Sequence, residues 1–442
     1  MIQKISRRLS LKLLSLGTLF GIGNRDTAEA QDAKPEVEDL NALEIWDKTH
    51  DRVFLGGEVW ANPMEDWRVV DGRAECQTDA ANRSIHSLTH QITRPEGSFR
   101  MTVSVKQPNE PGRINGAGFR VGIRSDLNEH RSNTFAKGGI DAGVKAGQLV
   151  VGKEKTKLEA PEEFILVLTG ESLSGKTRIT LTARSSDGKE LGSVSGSVNS
   201  EDIVGNIALV SQFSGPKNRG DRKGYSFANW KAGGDAFTVS DNHRFGPLLW
   251  SMYTLSDSRS DEGFVVKLSA LTGPLGDKDN QEVELFTRDQ TDDWKSQGTA
   301  SLDTDAWTAT FRLTNWDQMS ETPYKLVYRE THRDGSESAS EWTGTIQQNP
   351  EGRPLRLGAL TCQNDYAFPY EPVANSLAKL KPDMLYFSGD QLYESHGGFG
   401  IIRDPAGPAI LSYLRKYYQF GWSFREAMAI APTVCLPDDH DV

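Results

Sequence analysis

The amino-acid sequence predicts a multidomain chain: two all-β sandwiches followed by an incomplete α/β unit built on a parallel sheet. Three observations predict it. Between residues 44 and 237 short alternating runs recur, separated by Gly, Asn, Asp and Pro clusters, which is how half-buried strands joined by turns read. Between residues 240 and 350 a second set of such runs has the spacing of a small sandwich. From 354 to 442 the order becomes strand, helix, strand, helix, strand, the pattern of a parallel sheet. A chain of 442 residues is also too long for one ordinary domain.

In the first β segment the strands expected are Phe99 to Val105, Gly118 to Ile123, Phe164 to Leu168 and Gly205 to Val210. Trp67-Arg68-Val69-Val70-Asp71-Gly72 near its start and Phe227-Ala228-Asn229-Trp230 near its end resemble the paired terminal strands of concanavalin-like jelly rolls. Gly170 to Thr177 matches the P-loop pattern letter for letter. A P-loop needs a helix immediately after it, because the helix N-terminus helps to hold the phosphates. Arg178 to Arg184 instead alternates and is rich in β-branched residues, so a hairpin turn is expected and nucleotide binding is not. His86 and His90 sit in a run that alternates like a strand, which makes them a polar strand face rather than a helical metal pair. In the second segment the strands expected are Phe264 to Leu268, Glu282 to Phe286, Ala309 to Leu313 and Tyr324 to Tyr328, as in an immunoglobulin- or fibronectin-like sandwich.

The N-terminus reads as an export signal. Arg7-Arg8 is a twin-arginine pair, Leu13 to Ile22 is moderately apolar, and Ala28-Glu29-Ala30 offers a cleavage site. Residues 1–30 are therefore expected to be a twin-arginine (Tat) signal peptide, with the mature protein periplasmic or extracellular. The apolar run is short and rich in Gly and Ser for a membrane span, and no later stretch could cross a bilayer, so no transmembrane segment is expected after cleavage. Residues 31–43 are polar and acidic and read as a linker. The net charge of −11 argues against a nucleic-acid-binding surface. Three cysteines, Cys76, Cys362 and Cys435, are too few for a disulfide scaffold, and the odd count leaves at least one thiol free.

The C-terminal segment carries the chemistry. Its expected strands are Leu355 to Thr361, Met384 to Ser388 and Thr433 to Leu436. Its expected helices are Glu371 to Lys381, with Val373, Leu377 and Leu380 on one face, and then Ala409 to Tyr418 and Ser423 to Ile430. Each strand runs into polar, ligand-type residues: Cys362-Gln363-Asn364-Asp365, Gly389-Asp390-Gln391-Leu392-Tyr393-Glu394, and Asp438-Asp439-His440-Asp441. Parallel strands align their C-terminal ends on one edge, where ligands bind. Cys362, Asp390, Tyr393, Asp439 and His440 are therefore expected to converge. A carboxylate can bridge two cations, while a thiolate and a phenolate suit a transition metal. Asp438 and Asp439 offer hard oxygens for a second cation, and His440 can donate a proton. Asp438 and Asp441 are further candidate ligands.

These three motifs resemble those of the PhoD-like alkaline phosphatases, within the calcineurin-like metallophosphatases. Gly389 to Glu394 is similar to that branch's Gly-Asp-x-x-Tyr-Glu, Asp438 to Val442 to its Asp-Asp-His-Asp/Glu, and Thr361-Cys362-Gln363 to its Ser-Cys-Gln. The resemblance implies an exported phosphoric ester hydrolase acting on a phosphate ester through a metal-bound hydroxide. It implies a binuclear or trinuclear site, Fe3+ with Ca2+, the alternatives being Mn2+, Zn2+ and Mg2+. Cys362 and Tyr393 would hold the iron, Asp390 would bridge, Asp439 would hold the second ion, and His440 would lie beside the phosphate as the catalytic residue. Residues 354–442 would be only the N-terminal part of such a domain, so the chain as given is expected to be inactive. The other expectation is an exported glycan- or polyanion-binding β-sandwich protein with a vestigial enzyme part, the first sandwich contacting an extracellular glycan.

Overall fold

The structure is a computed structural model, and it describes residues 39–108, 116–288 and 293–441. The twin-arginine signal and most of the linker lie outside the described residues. The first β segment forms two sheets. One runs in the order Glu190–Asn199, Lys176–Arg184, Glu163–Leu173, Phe99–Lys106, Ser226–Gly233, Arg73–Cys76, Trp67–Val70, with Asn41–Ala42 also pairing to Ser226–Gly233. The other runs Glu154–Lys157, Gln148–Val151, Ile140–Lys145, Ala117–Ile123, Gly205–Ser211, Arg83–Ile92, Phe237–Val239, with Val59–Asn62 added against Arg83–Ile92. Every pairing is antiparallel, and the inward residues of both sheets close on one core that contains Trp46, Trp67, Phe99, Phe119, Phe164 and Trp230. Alternation does the work: in Phe99–Lys106 buried and half-exposed residues follow one another without a break.

The P-loop look-alike is a hairpin. Glu163–Leu173 pairs with Lys176–Arg184 through Ser174 and Gly175, both at positive φ, the backbone that a two-residue hairpin turn needs. His86 lies buried in Arg83–Ile92 with both ring nitrogens hydrogen-bonded, Nδ1 to Asn206 Oδ1 at 2.8 Å and Nε2 to Ser84 Oγ at 2.9 Å. Burial and the nearby Arg120 push its pKa down to about 4, opposed by the Asn206 contact.

The second β segment forms one seven-stranded antiparallel array, Leu248–Asp257, Phe264–Thr272, Thr308–Leu313, Trp294–Asp303, Glu282–Arg288, Thr322–Thr331, Glu337–Ile346. Beyond it, Leu357–Leu360, Met384–Phe387 and Thr433–Cys435 pair in parallel, with Leu360, Phe387 and Cys435 in register at their C-terminal ends.

The expected incomplete α/β metallophosphatase domain is not what forms, and this corrects the fold class. Among the described residues the chain is mostly β, with three α-helices, His130–Asn133, Glu371–Leu380 and Ala406–Met428. The three parallel strands have no core of their own. Leu385, Phe387, Tyr418, Phe420 and Trp422 join the same buried cluster as Leu249, Trp250 and Tyr324 of the seven-stranded array and Trp60 and Met64 of the first sandwich. A short parallel sheet cannot cover both its faces, so it survives by docking onto a larger neighbour.

The long helix also departs from expectation, since one helix replaces two. Gly421 does not break it, because burial decides the matter. Tyr418, Phe420, Trp422 and Phe424 are all buried, and a Cβ on Gly421 would meet Trp250 Cζ2 at 2.4 Å. The glycine costs roughly 1 kcal/mol of helix propensity, which the packing around it exceeds. Glu371–Leu380 buries only Leu377, while Val373 and Leu380 of its apolar face stay exposed.

An ion pair locks the long helix to the first sandwich. Arg415 Nε and Nη2 donate to both carboxylate oxygens of Glu65, at 2.9 and 3.3 Å, with both side chains buried. Arg415 Nη1 also donates to the His396 carbonyl at 2.6 Å. Such a pair contributes little net stability against an apolar substitute, but it fixes one arrangement and is costly to break from one side.

Candidate functional site

The strand ends bring the rim residues together. Tyr393 donates its hydroxyl to Asp390 Oδ2 at 3.0 Å, and Cys362 Sγ lies 3.5 Å from the same oxygen. Among the described residues, Asp390, Asp439 and His440 form a group whose ligand-type atoms all lie within 4.8 Å of one another. Asp390 Oδ1 is buried without a hydrogen-bond partner. Cys362 and Asp390 both hold left-handed backbone, φ 57° and 56°, an uncommon state for residues with a side chain. Gly389 at φ 112° makes the approach possible: a Cβ there would meet Asp438 Cβ at 2.6 Å.

Two rim residues do other work than expected. The Asp441 carboxylate is already engaged, accepting backbone N–H groups from Asp390 (2.7 Å), Leu392 (2.9 Å) and Asp438 (3.0 Å). It ties the Asp390 loop to the chain's last turn. Asp438 is exposed and accepts from the Asp439 backbone at 2.9 Å. Glu394, which the sequence reading did not single out, holds His440 Nδ1 at 2.9 Å. That contact raises the His440 pKa, and His440 in turn helps to lower that of Glu394, behind the latter's own backbone hydrogen bond. Partial burial, with the Cys362 thiol and the Asp390 carboxylate alongside, lifts the Tyr393 phenol above its usual range. All three cysteines are free thiols.

Two larger cavities went unforeseen. The first, of about 440 Å³, lies on the outer face of the first sandwich. Glu75, Ser226 and Lys106 are register partners across three adjacent strands. Their chain neighbours Ala74, Phe227 and Val105 point into the core, so the three face outward. Arg73 flanks the row, donating to Glu163 Oε1 at 2.7 Å and Ser226 Oγ at 3.2 Å, while Lys223 Nζ meets Glu75 Oε1 at 2.6 Å. Asp71, Asp221 and Arg222 complete the polar wall.

The second, of about 360 Å³, is a cleft between the sandwich loop 124–138 and turns of the C-terminal segment. Its floor includes Phe135 against Phe368, edge to face at 5.2 Å. Both cavities are assembled from segments far apart in sequence, so no local pattern marks them.

The described chain is thus a β-sandwich protein with a second β array and a short parallel sheet docked on it. No known family model matches the chain, and no curated protein does. Among solved structures it is similar to the metal-free lectin I-B4 from Griffonia simplicifolia, at 9% identity and TM-score 0.30, covering 40% of this chain and 92% of that one. It is similar to lectin II from Ulex europaeus, at 12% identity and TM-score 0.31, covering 42% and 96%. The winged bean acidic lectin complexed with methyl-α-D-galactose gives 9% identity and TM-score 0.32, covering 44% and 98%.

The resemblance to PhoD-like alkaline phosphatases is overturned. Among the described residues the chain is mostly β with no α/β metallophosphatase domain, and no family model matches it. The expected phosphoric ester hydrolase falls with it, and so does hydroxide attack on a phosphate ester. Three short motifs at strand ends carried that reading, and local motifs do not fix a fold. Among the described residues, no helix is long and apolar enough to cross a membrane.

Proposed function

We propose that this is an exported saccharide-binding protein whose site is the polar pocket on the first sandwich. The observation that supports it most is the outward row Glu75, Ser226 and Lys106 with Arg73 beside it, held by internal hydrogen bonds before any ligand arrives. A polyhydroxylated ligand needs many donors and acceptors in fixed positions, and preorganised groups lose little entropy on binding it. The wall balances four basic side chains (Arg73, Lys106, Arg222, Lys223) against three acidic ones (Asp71, Glu75, Asp221), which favours a neutral glycan over a polyanion. Export rests on the twin-arginine pattern of residues 1–30. A glycan array followed by calorimetry tests the reading. Binding of a neutral oligosaccharide, weakened about tenfold or more by Arg73→Ala, supports it, since a charged hydrogen bond contributes about 1.5–3 kcal/mol. An array with no neutral glycan bound, or affinity indifferent to Arg73, sinks it.

As a second reading we infer a metal site on the rim. The donor set fits one: Asp390, Asp439 and His440 lie close together, the Asp390 carboxylate has an unpartnered buried oxygen, and Cys362 and Tyr393 adjoin it. A thiol and a phenol suit iron, and the Asp439 carboxylate suits a harder ion such as calcium. Titration with Fe3+ should give a visible phenolate–iron absorption that disappears in Tyr393→Phe. A band that survives that substitution, or no band at all, rules the iron out.

A further inference from the structure

The cleft between the sandwich and the C-terminal segment belongs to neither reading above. It contains no residue of the polar pocket and no member of the rim group. Its jaws are apolar and open. Leu127 on the sandwich side is 57% exposed and Tyr366 on the other is 90% exposed, values at which a large apolar side chain has no packing role in its own fold. The floor is the Phe135–Phe368 pair. A flat apolar ligand about the size of a fused two-ring system fits about 360 Å³ and would lie between these surfaces.

Two cations stand at the edge. Lys137 Nζ donates to the Gly398 carbonyl at 2.8 Å and sits 4.1 Å from the Phe399 ring centre, so the ammonium is held in place with donors to spare. Arg124 donates one Nη2 hydrogen to the Glu201 carbonyl at 3.1 Å and keeps the rest of its fork. Against them the lining sets one carboxylate, Asp126. A local excess of positive charge in a chain of net charge −11 selects for an anion. The close approach of the walls depends on Gly397, at φ 73°: a Cβ there would lie 2.6 Å from Arg415 Nη1 and 3.2 Å from Phe135 Cδ1.

We propose that this cleft binds a small planar aromatic carboxylate, its ring between Tyr366, Leu127 and the Phe135–Phe368 floor and its carboxylate at Lys137 and Arg124. The ring supplies contact area, and the carboxylate supplies orientation and selects against neutral aromatics.

The test is a titration of the full chain with 2-naphthoate, 2-naphthol and D-glucuronate, followed by heteronuclear NMR shifts. Tyr366→Ala and Lys137→Met serve as variants, because both side chains are exposed and neither holds the core. Expected is saturable 2-naphthoate binding, weakened about threefold to tenfold by each variant. 2-Naphthol should bind more weakly and ignore Lys137→Met. No 2-naphthoate binding overturns the proposal, as does binding indifferent to both variants. D-Glucuronate binding as tight as 2-naphthoate also overturns it, because the aromatic ring would then be irrelevant. Arg73→Ala should leave 2-naphthoate affinity unchanged, which keeps this outcome separate from that of the saccharide reading.

Discussion

The polar pocket and the aromatic cleft are of similar size and lie on one molecule, yet they are built by opposite rules. The pocket is written on a sheet. Its residues alternate with core residues along three paired strands, so their spacing is set by backbone hydrogen bonds. The cleft is a gap between two bodies. One wall is sandwich loop, the other is the C-terminal segment, and their separation is set by whatever joins them. A site on a sheet should tolerate loosening of the domain contacts, and a site in a gap should not.

The largest effect should come from cutting the joint. Arg415→Ala leaves Glu65 buried without its partner and frees the His396 carbonyl. Denaturant unfolding should show a loss of about 3–5 kcal/mol. Wherever the variant remains folded, 2-naphthoate affinity should collapse while oligosaccharide affinity stays within about twofold. Equal losses at both sites would erase the contrast.

Acid should act next, and on the sandwich. Burial holds the folded pKa of His86 at about 4, below the ordinary histidine value of about 6.5. The unfolded chain therefore takes up the proton first. Stability contributed by neutral His86 is complete above about pH 6.5 and is lost as pH falls towards 4, by at most about 3 kcal/mol. His86→Gln should flatten that part of the stability–pH curve. A wild-type curve without slope between pH 6.5 and 4 would remove His86 from the account.

The smallest effect sharpens the pocket. Arg73→Lys keeps the charge but loses the fork that reaches Glu163 and Ser226 together. Oligosaccharide affinity should fall about threefold, less than in Arg73→Ala, with 2-naphthoate unaffected. An Arg73→Lys variant as weak as Arg73→Ala would show that geometry alone matters there.

Much of this was legible in the sequence, for a reason that also sets the limit. Strand periodicity is local, so the positions of Phe99–Lys106, Glu163–Leu173 and Thr322–Thr331 could be read from their own residues. The three strand-end motifs could be placed on one edge because parallel pairing aligns strand ends. What they meant could not be read the same way, and the family they suggested was wrong. The continuity of the helix Ala406–Met428 could not be read locally, because Gly421 within it packs against Trp250, which lies far away in the chain. Tyr366 and Arg73 carried no signal, since an exposed tyrosine and a charged strand residue are ordinary until a wall appears opposite them.

The contact at Gly421 has a mechanical consequence. The indole of Trp250 occupies the notch left by the missing side chain. Turning the helix by one residue would drive Phe420 or Trp422 into that ring, and sliding it by a turn would strand the Arg415 guanidinium away from Glu65. The helix is keyed like a shaft in its hub, free neither to rotate nor to slip, so the stretch of cleft wall that it carries at Gln419 keeps its place against the sandwich.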